Sequence, residues 1–359
     1  MYSDSDLEGA VAAGALSPDA ASALRNYVAG RSGGAVADEE HFRLVTGFND
    51  IFVAIAAAIL LFAVGWIGNA VGPNIGGDGP SPFAGLFVAV TAWGLAEFFT
   101  RKRRMALPSI LLLLAFTGGV LLTALVSLVL GIGEAAFENN DRAVALAFAA
   151  TAAVGAAATW AHWRHFRVPV TVAVGVATLV GLALALIASA VGDVPGLDKV
   201  MLVSGLLLGV GVFLLAMWWD SSDRARQTRR SDVAFWLHLL SAPLIVHPIF
   251  SLLGLTDGDA TIGEALVVLG VYVLLGITAL AIDRRALLVS ALAYVLFALI
   301  SLFREFGAVE LNIALAAFVI GSGLLLLSAF WHSVRRSVVR PLPPGLQARL
   351  PVTERAVAA

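Results

Sequence analysis

The loops of this chain alternate in charge along its whole length. Apolar runs of about 17 to 26 residues are separated by short segments that are basic, then acidic, then basic again. Each run is long enough, or nearly so, to cross ~30 Å of hydrocarbon as a helix rising ~1.5 Å per residue. Of 23 Lys and Arg residues, only Arg142, Lys199 and Arg304 fall in the acidic set of loops. A soluble fold imposes no such rule. A chain threaded repeatedly through a bilayer does, because basic loops stay on the cytoplasmic side. The expected fold is therefore all-α: a polytopic integral membrane protein, a bundle of about ten transmembrane helices with both termini inside.

Composition agrees. Hydrophobic residues make up 59% of the 359 positions and charged residues 13%, about half the charged fraction usual in a soluble domain. Net charge is −2, and no basic face interleaved with aromatics offers itself to nucleic acid. The chain has no cysteine, which excludes disulfides, thiolate metal sites and a cysteine nucleophile. Arg outnumbers Lys heavily, and Ala and Gly abound. That points to a high-GC bacterial coding bias and hence to the bacterial cytoplasmic (inner) membrane. No cleavable signal is legible, because the first ~45 residues are polar and acidic and the first apolar run is followed by others.

Three segments follow: a cytoplasmic helical hairpin and linker (1–45), a transmembrane domain (46–334) and a cytoplasmic tail (335–359). In the first, Ser5 and Glu8 have capping-box spacing, with Leu7 and Val11 on one helical face. Gly14 is a stop, and Ser17-Pro18-Asp19 restarts a helix with Ala20, Leu24 and Tyr27 or Val28 on one face, closed by Gly30. The spans are expected at 51–68, 83–99, 106–131, 143–160, 168–191, 200–219, 233–254, 262–282, 286–303 and 310–331. The fourth is largely alanine, and its small residues suit helix packing better than lipid. Arg101 to Arg104, Arg164 and Arg167, Arg224 to Arg230, Arg284-Arg285 and Arg335 to Arg340 mark the inner face. Seven of eight tryptophans, all but Trp66, lie toward that face as an interfacial belt.

Ionisable groups within spans are the default functional candidates. Glu97 is placed to pair with Arg101 one turn away. Asp50 and Asp232 each begin a span and are read as caps for the free N–H groups there. The seventh span holds His238, Ser241, Pro243, His247 and Pro248, with the two histidines found within any span. Nine residues, ~900° of helical rotation, put His238 and His247 on opposite sides of a straight helix. They do not form a joint metal site unless Pro243 bends it strongly. Either histidine hydrogen-bonds a neighbouring helix or meets a solute or proton, and His247, the deeper, heads the functional candidates. Tyr272 and Tyr294 complete the intramembrane polar set. His162 and His165 are expected in a solvated loop. Gly205 and Gly209 form a GxxxG apt for close helix contact, and Gly118-Gly119 is read as a bend. Arg103–Phe116 and Arg284–Phe297 share Arg-Arg, Leu, Ser, Leu and Phe in register, which suggests a parallel repeat of spans one to three in seven to nine.

Motifs for zinc hydrolysis, serine hydrolysis and phosphate or dinucleotide binding are absent, so no catalytic residue, cofactor or metal is assigned. The run LEGAVAAGALSPDAASAL, the span opening Gly47-Phe48-Asn49-Asp50-Ile51-Phe52 and the tract FWLHLLSAPLIVHPIF resemble a bacterial family of many-spanned membrane proteins with a short helical N-terminal domain. The resemblance implies this architecture and carries no activity. Three functions stay open: translocation of a small solute or lipid through a cavity in the bundle, a membrane scaffold or sensor whose N-terminal hairpin binds a cytoplasmic protein, and an intramembrane enzyme. A wet cavity lined by spans one, seven, eight and nine favours the first; a dry bundle favours the second.

Overall fold

The computed structural model describes residues 7, 10–24, 48–192, 194–224, 226, 228–254, 262–305 and 311–352. The chain divides into two compact units, 1–43 with 354–359, and 44–353. Among the described residues the second unit has helices joined by turns and loops, and no strand. Its long helices are α1 (Phe48–Val71), α2 (Pro82–Ala96), α3 (Ala106–Ile132), α4 (Asp141–Phe166), α5 (Val170–Val191), α6 (Leu197–Ser222), α7 (Arg229–Leu252), α8 (Ile262–Ile282), α9 (Ala286–Glu305) and α10 (Asn312–Ala329). Two short ones follow, α11 (Trp331–Val339) and α12 (Pro344–Gln347). Ten helices are long and apolar enough to cross a membrane, and each coincides with an expected span. The protein is a multi-pass membrane bundle.

Local chemistry explains the helix ends. Ser81 accepts a hydrogen bond from the Phe83 N–H, with Pro82 at the first helical position of α2. Asn140 caps α4 through the Ala143 N–H. Gly133 and Gly192, at φ +97° and +71°, let the chain leave α3 and α5 through a left-handed region that side chains rarely enter. α2 runs on as a π-helical turn, Glu97–Lys102. α3 runs as one helix through Gly118-Gly119. Gly119 meets α2, where an added Cβ would lie 2.8 Å from the Ala89 nitrogen.

Sequence neighbours pack as pairs, α2 on α3, α4 on α5 and α6 on α7, while α7 also touches α5 and α9. α7 is the most buried of the ten; α1 and α10 are the least. The exterior is apolar, as lipid requires: Phe52, Phe62 and Trp66 on α1 and Phe318 on α10 are more than 60% exposed. The alanine-rich α4 spans fully and buries Ala147, Ala149 and Gly155, as its composition suggested.

The GxxxG of α6 is a real contact, and unequal. A Cβ at Gly209 would fall 2.8 Å from the Leu244 Cβ and 2.9 Å from its carbonyl carbon and oxygen; at Gly205 it would lie 3.9 Å from Pro248 Cγ. Pro248 has no N–H to offer the Leu244 carbonyl. Gly209 thus backs onto a carbonyl that its own helix leaves free.

Residues 335–352 are not a free tail. α11 crosses the expected boundary, packs on α8, and buries Trp331, Arg335 and Val339, with Leu350 also buried. Arg335, expected only as one of the inner-face cations, is buried with carbonyls to bind. Trp331, buried, and Trp93, half-buried among aromatic rings, likewise leave the tryptophan belt, whereas Trp160 and Trp218 stay exposed. In the first unit the Ala20 N–H binds Ser17 Oγ at 3.1 Å, as a cap should. Gly14 turns at φ +70°. Ala21 rather than Ala20 is buried, and Leu24 is half-buried on the same face, as expected. Ser5, Glu8, Tyr27, Val28 and Gly30 lie outside the described residues.

Candidate functional site

The candidates drawn from the sequence are only partly gathered together. His247 Nδ1 and the Tyr294 hydroxyl are joined at 2.7 Å between α7 and α9, with Tyr294 stacked on Phe250 at 4.4 Å between ring centroids. His247 and Pro243 are exposed on the outside of the bundle, and Pro248 is buried against α6. Tyr272 on α8 packs against two hydrophobic clusters of the core, one around Val246, Phe250 and Val295 and one around Leu280, Leu287 and Trp331, and its buried hydroxyl has no hydrogen-bond partner among the described residues. Ser241 donates to the His238 carbonyl at 3.0 Å, one turn back along its own helix. His238 is fully buried and faces α6, so the two histidines do diverge. Asp50 is buried in the first turn of α1. Asp232 lies in the first turn of α7 but is not its cap. Thr228 holds that place, accepting from the Arg230 N–H. A threonine one turn earlier supplies the oxygen, so the helix begins before the expected span.

The main polar assembly is elsewhere, at the arginine-rich end of α6 to α9. Asp220, in the last turn of α6, is 1% exposed. Its Oδ1 accepts from Arg284 Nη2 at 2.6 Å and its Oδ2 from Arg284 Nε at 3.3 Å and His238 Nε2 at 3.0 Å. That acceptance fixes the proton on Nε2 and leaves Nδ1, which has no hydrogen-bond partner among the described residues. Arg284, in the turn between α8 and α9, is 2% exposed and also donates to the Ser231 carbonyl at the start of α7. One carboxylate therefore ties three helix ends together. A fork-shaped guanidinium across a carboxylate is among the stronger polar contacts available.

A second layer surrounds the first. Asp283 accepts from Arg226 Nη1 at 2.9 Å and from the Trp331 indole at 2.7 Å, with Arg335 Nε 3.7 Å away. Arg226 also donates to the Ile282 and Asp283 carbonyls. Arg335 donates to the carbonyls of Leu280, Pro351 and Val352, and Arg224 to those of Gln347 and Leu350. The segment 340–352 is thus strapped over the node by guanidinium-to-carbonyl bonds. Burial pulls the Arg226 guanidinium below its ordinary value, Arg284 adds to the pull, and Asp283 and Asp220 oppose it. Burial does the same to Arg335, again opposed by Asp283. Both stay charged, since arginine does not lose its proton in proteins.

A third cluster corrects the reading of His162 and His165. They lie on α4, not in a loop, and of the two only His165 is exposed, as expected. His162 is 1% exposed, bonds Thr171 Oγ1 at 3.2 Å, and sits among Trp93, Phe116 and Phe166. His165 stacks on Trp93 and bonds Glu97, which also pairs with Arg101 at 3.2 Å as expected. Phe166, four residues beyond His162, carries the helical face past Trp160 and was the available clue.

The ionic node was also missed, and a clue existed. Asp220 and Asp283 are, with Glu97, Asp223 and Asp232, among the acids that lie on the basic side of the chain against the alternating rule. Asp220 and Asp283 accept from the surrounding donors of the node, while His238 Nδ1 and Arg226 Nε, both buried, have no hydrogen-bond partner among the described residues. No set of three or more His, Asp or Glu among the described residues could hold a metal. A surface groove of about 390 Å³ is lined by α4 and α5 and takes no residue from α7, α8 or α9. No family model matches the chain, and comparison with curated proteins and with solved structures yields no match.

Proposed function

We propose that the chain is a bacterial inner-membrane scaffold or sensor, with the arginine-rich end of the bundle and both termini in the cytoplasm. The buried charges carry this reading. Asp220, Arg284, Asp283, Arg226 and Arg335 join helix ends and the C-terminal strap into one rigid face, where a carrier would spread polar groups along a path. The α7–α9 core between them is apolar, with Val246, Val268, Val295 and Leu299 among its members. A fixed cytoplasmic face suits docking, and the N-terminal hairpin is the segment that would recruit a cytoplasmic protein. Translocation of a small solute or lipid is the second reading, favoured by one observation: His247 is exposed at membrane depth with Tyr294 beside it.

Absence of native cysteine makes the test clean. Single cysteines at Ser241, Val246, Ala291 and Val295 should stay unreactive toward a small water-soluble thiol reagent in membranes open to it on both sides. Gly77→Cys should react in intact spheroplasts and Ser222→Cys only after permeabilisation. Labelling at consecutive buried positions of α7 or α9 would establish a water path and overturn the scaffold reading. Labelling of Ser222→Cys in sealed cells would reverse the orientation.

A further inference from the structure

At the acidic-loop end of α4 and α5, the bundle surface is indented by the groove of about 390 Å³. Val144 and Phe148 form one wall, Gly181, Ala185 and Ala188 the other, and Asp141 stands at the mouth. From Asp141 to Phe148, and from Gly181 to Ala188, each helix rises ~10 Å. The groove therefore reaches from headgroup level part-way into one leaflet. It is shallow and open to the side, with Phe148 52% exposed on its rim, so in a bilayer it faces acyl chains rather than water. Glycine makes the room, since a Cβ at Gly181 would meet nothing within 4 Å.

The mouth is charged in a particular order. Asp141 presents a carboxylate, and the next residue, Arg142, is one of only three cations on this side of the chain. Its Nε donates to the Ser189 carbonyl at 3.0 Å, which pins the guanidinium over the end of α5. An anion acceptor and a cation acceptor thus stand side by side above an apolar slot. Phosphate and amine stand in the same relation above the chains of a phospholipid.

We propose that this groove binds one zwitterionic phospholipid with a primary-amine headgroup. The ammonium donates to Asp141, the phosphate meets Arg142, and the upper part of one acyl chain lies along Phe148 and Gly181. A choline headgroup has no N–H to give Asp141, and a glycerol headgroup leaves its net negative charge beside that carboxylate. Selectivity for the ethanolamine headgroup follows. The inference is independent of whether the protein scaffolds or transports.

Native mass spectrometry of the detergent-purified full chain tests it, with phosphatidylethanolamine, phosphatidylcholine and phosphatidylglycerol of identical acyl chains as probes. One phosphatidylethanolamine should be retained at least fivefold more than either competitor, and Asp141→Asn should abolish that preference. Gly181→Phe, which fills the slot, should reduce retention about fivefold. Gly211→Phe, at an open position on α6, should leave it unchanged. Equal retention of the three lipids by the unmodified protein, or a preference for phosphatidylglycerol, overturns the proposal. So does undiminished binding by a folded Gly181→Phe. Because the headgroup comparison needs no variant, a misfolded Gly181→Phe still leaves it decided.

Discussion

Three glycines on α6 give the α6–α7 contact a graded test. At Gly209 an added methyl would sit 2.8 Å from Leu244 Cβ and 2.9 Å from a backbone carbonyl, so the helices themselves must separate. At Gly205 the same methyl would be 3.9 Å from Pro248 Cγ, an ordinary contact, and at Gly211 it would touch nothing within 4 Å. Overpacking of this kind costs about 1–3 kcal/mol, while Gly to Ala within a helix returns up to ~1 kcal/mol of propensity. Gly209→Ala should therefore lose about 1–2 kcal/mol net, whereas Gly205→Ala and Gly211→Ala, where nothing lies closer than 3.9 Å, should both gain slightly. Reversible unfolding in mixed micelles, followed by circular dichroism, reads the series. If Gly209→Ala unfolds no earlier than Gly211→Ala, the close approach to the free Leu244 carbonyl is wrong, and with it the role given to Pro248.

Truncation before residue 341 removes the strap and its carbonyl partners for Arg224 and Arg335; limited proteolysis should then cut α11 in a bundle that stays folded, and full protection would contradict the strapping. Deleting residues 1–38, which belong to the separate unit, should leave the bundle inserted and monodisperse by size-exclusion chromatography, since the spans satisfy their own backbone bonds. His247→Gln forfeits the Tyr294 bond, worth ~0.6 kcal/mol on average in membranes, so the melting temperature should barely move. A large drop would show that the pair holds α7 to α9.

The architecture was legible because hydropathy and loop charge act over whole segments, and every loop repeated the message. Ten spans, the grouping of their basic ends and the GxxxG contact all follow from patterns a few residues wide. What was hidden depends on partners far apart in the chain. Asp220 meets Arg284 across 64 residues and His165 meets Glu97 across 68. Arg284 and Arg335 look like two more loop cations until the fold surrounds them. His238 shows the boundary well: its depth and divergence from His247 could be read from helical geometry, but the carboxylate it faces could not. His247 ranks first by its depth and by the Leu244 carbonyl that Pro248 frees beside it, whereas the bundle places the denser chemistry at the basic end.

The closure of that end turns on whether Asp220 and Arg284 act as one buried unit. A double-mutant cycle measures this directly, with Asp220→Asn, Arg284→Met and the two combined, each followed by unfolding in micelles. Removing either partner alone strands a buried charge and should cost about 3–5 kcal/mol. The double variant leaves neither charge behind, so it should recover about 2–3 kcal/mol of the summed loss, near the upper end of couplings seen for residues in contact. Additive losses, with a coupling energy indistinguishable from zero, would mean that the pair does not close the basic face.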